Sequence, residues 1–314
     1  MLPHRIGGLA ARATNRETEL VRWFRRSGEL GTLFADARAA LDRGDLDRAV
    51  DGYERYVSLD AANPEAWFNL GLAYKFRRDW TSAARSFRRV AELAPTMVEA
   101  FWNLGVAATA LRDWPSARDA WRAIGVDPGP GDGPPILKLG PSPIRLTAGE
   151  VVWANRVDPC RARIANVPLP QSEHRWGDLV LHDVAPRGER QAWGRTWGVF
   201  DEIERLEEGE FPTLECEVHA PAAEDAAALD EHFTDHDLGA EDWTSSVRWL
   251  CESCSIGSPH AHAADGGTMP VWLPARRYGF AGPAEEIRRH LRDWAEDGPG
   301  RSFGPLRPAT PDRS

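Results

Sequence analysis

The sequence predicts a multidomain protein in which an all-α helical solenoid comes first, a strand-rich region follows, and a region of mixed helices and strands comes last. Apolar residues that recur every 34 positions predict the solenoid. Proline and glycine dominate residues 128–135, which break the helical pattern and predict a linker. After the linker, alternating apolar residues indicate strands, and helical periodicity returns near the end.

The helical region carries its pattern three times. The second helix of each copy has a small residue and, four positions later, an aromatic one: Ala49 and Tyr53, Ala83 and Phe87, Ala117 and Trp121. In the middle copy, Trp67, Leu70, Gly71 and Tyr74 share one face of the first helix. Two short helices cannot bury such apolar faces alone, so each pair requires neighbouring copies.

This pattern resembles the tetratricopeptide repeat family, whose consensus is Trp-x2-Leu-Gly-x2-Tyr, then Ala-x3-Phe, then Pro. The middle copy matches at every position: Trp67, Leu70, Gly71, Tyr74, Ala83, Phe87 and Pro95. The third copy, about 98–130, matches at four positions, Leu104, Gly105, Ala117 and Trp121, and the first copy, about 30–63, is degenerate. The resemblance implies a helical domain at 15–127, in which a capping helix precedes three helical hairpins.

Residues that cap helices fall where this register requires them. Asn63 precedes Pro64 at the start of a first helix. A carboxylate precedes each second helix, at Asp45, Asp79 and Asp113. Thr96 and Glu99 have the spacing of a capping box. The consensus glycine is expected where the two helices of a hairpin approach closely.

In this family the first helix of each hairpin lines a concave groove that holds a polypeptide. The resemblance therefore implies a binding groove formed by an aromatic ladder, two amides and one ammonium group: Phe34, Phe68, Trp102, Asn69, Asn103 and Lys75. The ladder positions lack the basic residues of the family's carboxylate-clamp members, so a free C-terminal carboxylate is not the expected ligand. Two occupants stay open, namely an external peptide or another part of this chain.

The chain beyond the linker shows no family resemblance. Residues 136–211 predict a strand-rich domain, with strands at 150–157 and 161–167. Residues 212–298 predict strand, helix, two strands and helix, an α+β domain with a ferredoxin-like outline. We expect a disordered leader at 1–14 and a disordered tail at 299–314, which is rich in Pro, Gly and Arg.

One motif in the last region has the composition of a metal site. Cys251 and Cys254 are three apart, and His260 and His262 follow shortly after. Two thiolates and two imidazoles would complete a tetrahedral shell, which favours one structural zinc ion over a catalytic one. The alternative is two reduced thiols beside two solvent-exposed histidines.

Two other clusters are weaker. His232 and His236 are four apart on a predicted helix and could share a face, but they lack the Glu of a metalloprotease motif, and we interpret them as surface side chains. Arg156, Arg161 and Arg163 surround a turn and could hold an anion, although pairing with nearby acids is the usual role of such a cluster.

Composition restricts the partner. The formal charge of −10 lies almost entirely beyond residue 130, which argues against nucleic acid or an anionic membrane as the partner. Positive charge comes almost wholly from arginine, which we interpret as the mark of a GC-rich, bacterial genome. No apolar run is long enough to span a membrane, and we place the protein in the cytoplasm.

These observations predict a cytoplasmic binding or adaptor protein whose repeats hold a polypeptide and whose C-terminal half gives a second recognition surface. The sequence has no nucleophile elbow, phosphate loop or dinucleotide fingerprint, and we predict no catalytic residues. Two alternatives stay open: a zinc-dependent enzyme in the C-terminal half with the repeats as a targeting arm, and a bacterial immunity or regulatory partner protein.

Overall fold

The computed structural model describes residues 28–244 and 272–310. Within it the chain divides into two compact units, 1–127 and 128–314. The described part of the first unit consists of six helices: α1 (28–42), α2 (Leu46–Leu59), α3 (Pro64–Phe76), α4 (Trp80–Leu93), α5 (Val98–Ala110) and α6 (Trp114–Ala123). None of the helices in the described ranges combines the length and apolar composition that a membrane span requires.

The helices of the first unit repeat in the predicted register. The second helices α2, α4 and α6 begin at Leu46, Trp80 and Trp114, 34 residues apart. The first helices α3 and α5 begin at Pro64 and Val98, again 34 apart. One buried core runs through the hairpins, so each helix pair covers the apolar face of its neighbour. The predicted helical solenoid is confirmed.

Side-chain caps explain where most of these helices begin. The carboxylates of Asp45, Asp79 and Asp113 accept hydrogen bonds from backbone N–H groups at the starts of α2, α4 and α6, as predicted. Asn63 caps α3 in the same way, with Pro64 as the first helical residue. The capping box at Thr96 and Glu99 is wrong: Met97 takes the cap position of α5, which moves Glu99 one place too near the helix start.

Glycine sets the distance between the helices of a hairpin. A Cβ atom on Gly71 would lie 2.7 Å from Cε1 of Phe87, and one on Gly105 would lie 2.3 Å from Cη2 of Trp121. Carbon atoms pack at about 3.5–4.0 Å, so neither position has room for a side chain. The predicted close approach is therefore confirmed at both glycines.

The second unit begins with a small closed barrel whose strand order is β1–β2–β3–β4–β7. Its pairs are antiparallel except β1 with β7, which run parallel. A separate hairpin, β5–β6, is inserted between β4 and β7. The strands are β1 (Gly140–Arg145), β2 (Val151–Arg156), β3 (Arg161–Ile164), β4 (Leu179–His182), β5 (Glu189–Ala192), β6 (Arg195–Gly198) and β7 (Phe200–Glu207).

A second sheet follows the barrel, with strand order β11–β8–β10–β9 and with β12 paired to β8. Helices α7 (Ala223–Thr234) and α8 (Ala284–Glu296) share a buried core with this sheet. All its pairs are antiparallel. The strands are β8 (Leu214–His219), β9 (Gly239–Asp242), β10 (Ala275–Ala281), β11 (Ser302–Phe303) and β12 (Arg307–Pro308).

The expected disordered tail is wrong for residues 302–308, which form β11 and β12. Phe303 and Leu306 pack against the core of the second sheet, and Arg301 forms an ion pair with Asp225. Composition suggested a tail because these few apolar residues are too sparse to show a period. The expected leader at 1–14 lies outside the described residues.

Candidate functional site

The predicted aromatic ladder lies on three successive first helices. Phe34 is on α1, Phe68 on α3 and Trp102 on α5, and all three side chains are half-buried. Each ring leans on an aromatic ring of the second helix in its own hairpin: Phe34 on Tyr53 at 5.6 Å, Phe68 on Phe87 at 5.8 Å, and Trp102 on Trp121 at 5.6 Å between centroids. The packing fixes each ring and leaves part of its surface exposed.

The two predicted amides have different surroundings. Asn103 is 8% exposed; its Oδ1 accepts a 2.9 Å hydrogen bond from Lys75 Nζ, and its Nδ2 donates a 2.9 Å bond to the carbonyl oxygen of Glu99. Asn69 is 4% exposed; its Nδ2 has no partner that meets hydrogen-bond geometry in the described part of the chain, although its amide lies close enough to Tyr53 to act against the rise in the pKa of that hydroxyl. Asn69 is thus the less constrained of the two amides, and Lys75, itself 4% exposed, bonds the neighbouring repeat.

Two tyrosines beside the ladder were not among the predicted site residues. Burial raises the pKa of Tyr53 to about 12, and burial together with a hydrogen bond to Glu54 raises the pKa of Tyr74 to about 12. Both hydroxyl groups are uncharged at neutral pH; Tyr74 donates its hydrogen bond to Glu54, and Tyr53 is fully buried. Both residues lie at positions of the repeat consensus or at equivalent ones, and the consensus does not predict what their hydroxyl groups contact.

The arginine cluster beyond the linker is paired. Arg161 Nε lies 2.6 Å from Asp158 Oδ2, and its Nη2 donates a 2.8 Å bond to the carbonyl oxygen of Pro135. Arg156 and Arg163 each donate to a nearby backbone carbonyl oxygen. The cluster thus holds the turn and the linker end together; the predicted pairing with an acid is confirmed for Arg161, with Asp158, and for Arg163, with Glu207, whereas Arg156 bonds a backbone carbonyl oxygen.

A buried network in the barrel escaped the sequence analysis. His174 Nδ1 lies 2.9 Å from Asp178 Oδ2, and His174 Nε2 lies 3.0 Å from Glu202 Oε1. Burial by itself lowers the pKa of His174, but the hydrogen bonds to both carboxylates raise it to about 9. Backbone N–H groups of Gly209 and Thr147 complete the network. All three side chains are enclosed, which indicates a structural role in joining three segments of the barrel.

The predicted zinc ligands Cys251, Cys254, His260 and His262 lie outside the described residues, so the zinc site stays a prediction.

Comparisons with known proteins concern the repeats. The family model described as TPR repeat matches residues 37–75, and the one described as Tetratricopeptide repeat matches residues 64–97. No curated protein matches the chain.

Solved structures similar to the chain are also repeat domains. The first TPR of Spaghetti (RPAP3) bound to an HSP90 peptide is 21% identical over 31% of this chain and 78% of that one, with a TM-score of 0.30. The Sgt2 TPR domain from Aspergillus fumigatus is 26% identical over 31% and 64%, with a TM-score of 0.29. The TPR2B domain of yeast Sti1, in a complex with pHsp70, is 17% identical over 30% and 76%, with a TM-score of 0.29. The two family models and the register of the helices show that residues 37–97 of this chain are tetratricopeptide repeats.

Proposed function

We propose that the repeat unit binds an extended polypeptide segment across its first helices, and that the protein acts as an adaptor. One observation carries the proposal: a half-buried aromatic side chain occupies the same position on three successive first helices, at Phe34, Phe68 and Trp102. Because each hairpin carries one ring, a ligand that crosses the hairpins meets apolar contacts at regular intervals. Partly buried, well-packed aromatic side chains are typical anchors of protein interfaces.

The polar groups near the ladder favour a particular kind of ligand. The ammonium group of Lys75 already bonds Asn103. The Nδ2 of Asn69 has the hydroxyl of Tyr53 as a neighbour but no acceptor in good hydrogen-bond geometry, and a backbone carbonyl oxygen of a peptide would supply one. We therefore propose an internal, apolar-rich segment as the ligand, rather than a free C-terminal carboxylate. The acidic C-terminal half supports a protein rather than a nucleic acid as the partner of the whole chain.

The experiment uses the full chain and a peptide selected from a random displayed library. We expect Phe68→Ala and Trp102→Ala each to weaken the selected peptide at least tenfold, about 1.4 kcal/mol, measured by fluorescence anisotropy. Leu59→Ala is the matched control because it removes an exposed apolar side chain, 44% accessible, from a second helix. Its affinity should equal that of the wild type.

Folding is checked by circular dichroism and a melting curve for each variant, and binding is compared at a temperature where all are folded. Failure to select any peptide, or unchanged affinity in both ladder variants, would exclude the groove as the binding site.

We also propose a role for the second unit as a further recognition surface, with a ferredoxin-like outline in its last part. The sheet order β11–β8–β10–β9, with α7 after β8 and α8 after β10, supports this outline. We propose a cytoplasmic location as well; the buried thiols of Cys160 and Cys216 support it, since reduced cysteines are usual there.

A further inference from the structure

Three histidines converge in the second unit from two different helices. His232 lies in the last turn of α7, His236 follows the end of that helix, and His290 lies in α8. Each residue has a possible ligand atom within 4.8 Å of the others. The sequence indicated only that His232 and His236 could share a helix face. His290 joins them because α8 packs against α7.

The hydrogen bonds of the cluster indicate which ring nitrogens face one another. His232 Nε2 lies 2.9 Å from His290 Nδ1. His236 Nδ1 lies 2.7 Å from the carbonyl oxygen of His232, and it must donate there because a carbonyl only accepts. The Nε2 lone pair of His236 is therefore available. A backbone carbonyl that fixes the second nitrogen in this way is a common support for a metal-binding histidine.

His232 and His290 would need to move only slightly to coordinate one metal ion. Two nitrogens on one tetrahedral zinc ion, each about 2.05 Å from the metal, are about 3.3 Å apart. His232 and His290 would separate by about 0.4 Å, and the proton between them would move to the outer nitrogen of its own ring, so that two neutral rings face the metal. His236 is exposed, so its side chain can adjust without disturbing the core, within the limit set by the hydrogen bond of its Nδ1.

Two charges next to the cluster act in opposite directions. The carbonyl end of α7 favours a cation at this place. One group acts against it: Arg289 Nη2 lies 3.1 Å from His290 Nε2 and places a positive charge beside the site.

We propose that His232, His236 and His290 bind one divalent transition-metal ion of the kind that prefers imidazole, such as zinc. Three imidazole ligands leave one tetrahedral position open for water or for an anionic group of a ligand. Calcium and magnesium are not expected, because they require oxygen ligands. This site is separate from the predicted ligands Cys251, Cys254, His260 and His262.

The test titrates metal-free, full-length protein with Co2+ and Zn2+. We expect cobalt to give visible ligand-field bands that Zn2+ abolishes. His236→Gln, which removes an exposed ligand, should weaken the affinity of this site at least tenfold. His219→Gln is the matched control, since it removes an exposed histidine of β8, and Cys254→Ser removes a ligand of the other predicted site. Neither should change the ligand-field bands of the histidine site.

A second variant tests the site without removing a ligand. Arg289→Gln should tighten Zn2+ binding severalfold, because it removes the adjacent positive charge. The proposal is overturned if the protein binds neither ion. It is equally overturned if the cobalt spectrum shows only thiolate charge-transfer bands and the affinity of His236→Gln equals that of the wild type.

Discussion

Lys75 and Asn103 join two successive repeats through a hydrogen bond of 2.9 Å between Nζ and Oδ1. Lys75 is near the end of α3 and Asn103 is in the middle of α5, so the bond connects the first helices of neighbouring hairpins. Both side chains are buried. Residues that the family resemblance assigned to the groove thus also hold the repeats to each other.

Replacing Asn103 by Leu removes the acceptor that this buried ammonium group uses. We expect Asn103→Leu to lower the free energy of unfolding by about 1–3 kcal/mol, as measured by urea denaturation. Lys75→Met in the same chain should recover part of the loss, because it removes the charge that lacks its acceptor. Strictly additive losses in the double-mutant cycle would contradict a direct interaction.

Gly105 allows α5 to pack on the buried ring of Trp121. A methyl group at this position would overlap the ring, with only 2.3 Å between Cβ and Cη2. We therefore expect Gly105→Ala to lower the free energy of unfolding by about 1–3 kcal/mol. Gly31→Ala is the control: no atom lies within 4 Å of the added carbon, and alanine should stabilise the exposed helix by about 0.5–1 kcal/mol. Equal effects of the two changes would be inconsistent with the close approach.

Asp158 organises the turn before β3. Its Oδ2 pairs with Arg161, and its Oδ1 accepts bonds from the backbone N–H groups of Cys160 and Arg161. The Asp158 side chain is 0% exposed, so we expect Asp158→Ala to destabilise the second unit by about 3–5 kcal/mol. Arg163→Ala should cost less than about 1 kcal/mol, since its ion pair with Glu207 is exposed. Thermal or urea unfolding distinguishes these two outcomes.

The network of His174 predicts a dependence of stability on pH. The folded pKa of about 9 lies above the ordinary 6.5, so the fold stabilises the protonated ring. This contribution is fully present below about pH 6.5 and is lost as the pH rises through about 9. Hydrogen bonds from His174 lower the pKa of Asp178 and of Glu202 against the opposing effect of burial, so their contribution is lost on the acid side instead.

Titration by NMR measures this directly. The His174 ring should titrate near pH 9 in the wild type, and Glu202→Gln should shift its midpoint downwards because one negative partner is gone. A wild-type midpoint near the ordinary value would show that the network does not hold the ring protonated.

Much of the repeat unit was predictable because its signals are local and periodic. The caps at Asp45, Asp79 and Asp113 and the glycine at 105 follow from positions that recur every 34 residues. The prediction of a cap at Thr96 was wrong for a local reason, because α5 begins one residue later than its sequence pattern indicated. The contact between neighbouring hairpins was not predictable, since the bond between Lys75 and Asn103 joins residues of two different repeats.

By itself, the sequence determined the helical hairpins, their period and the residues that cap them, because the physics of a short helix depends on neighbours three or four places apart. Only the tertiary structure decided which distant side chains meet. Folding brings His290 to His232 across 58 residues, and it buries His174 between Asp178 and Glu202. Such contacts depend on how strands and helices pack, and this packing produces no periodic pattern in the amino-acid sequence.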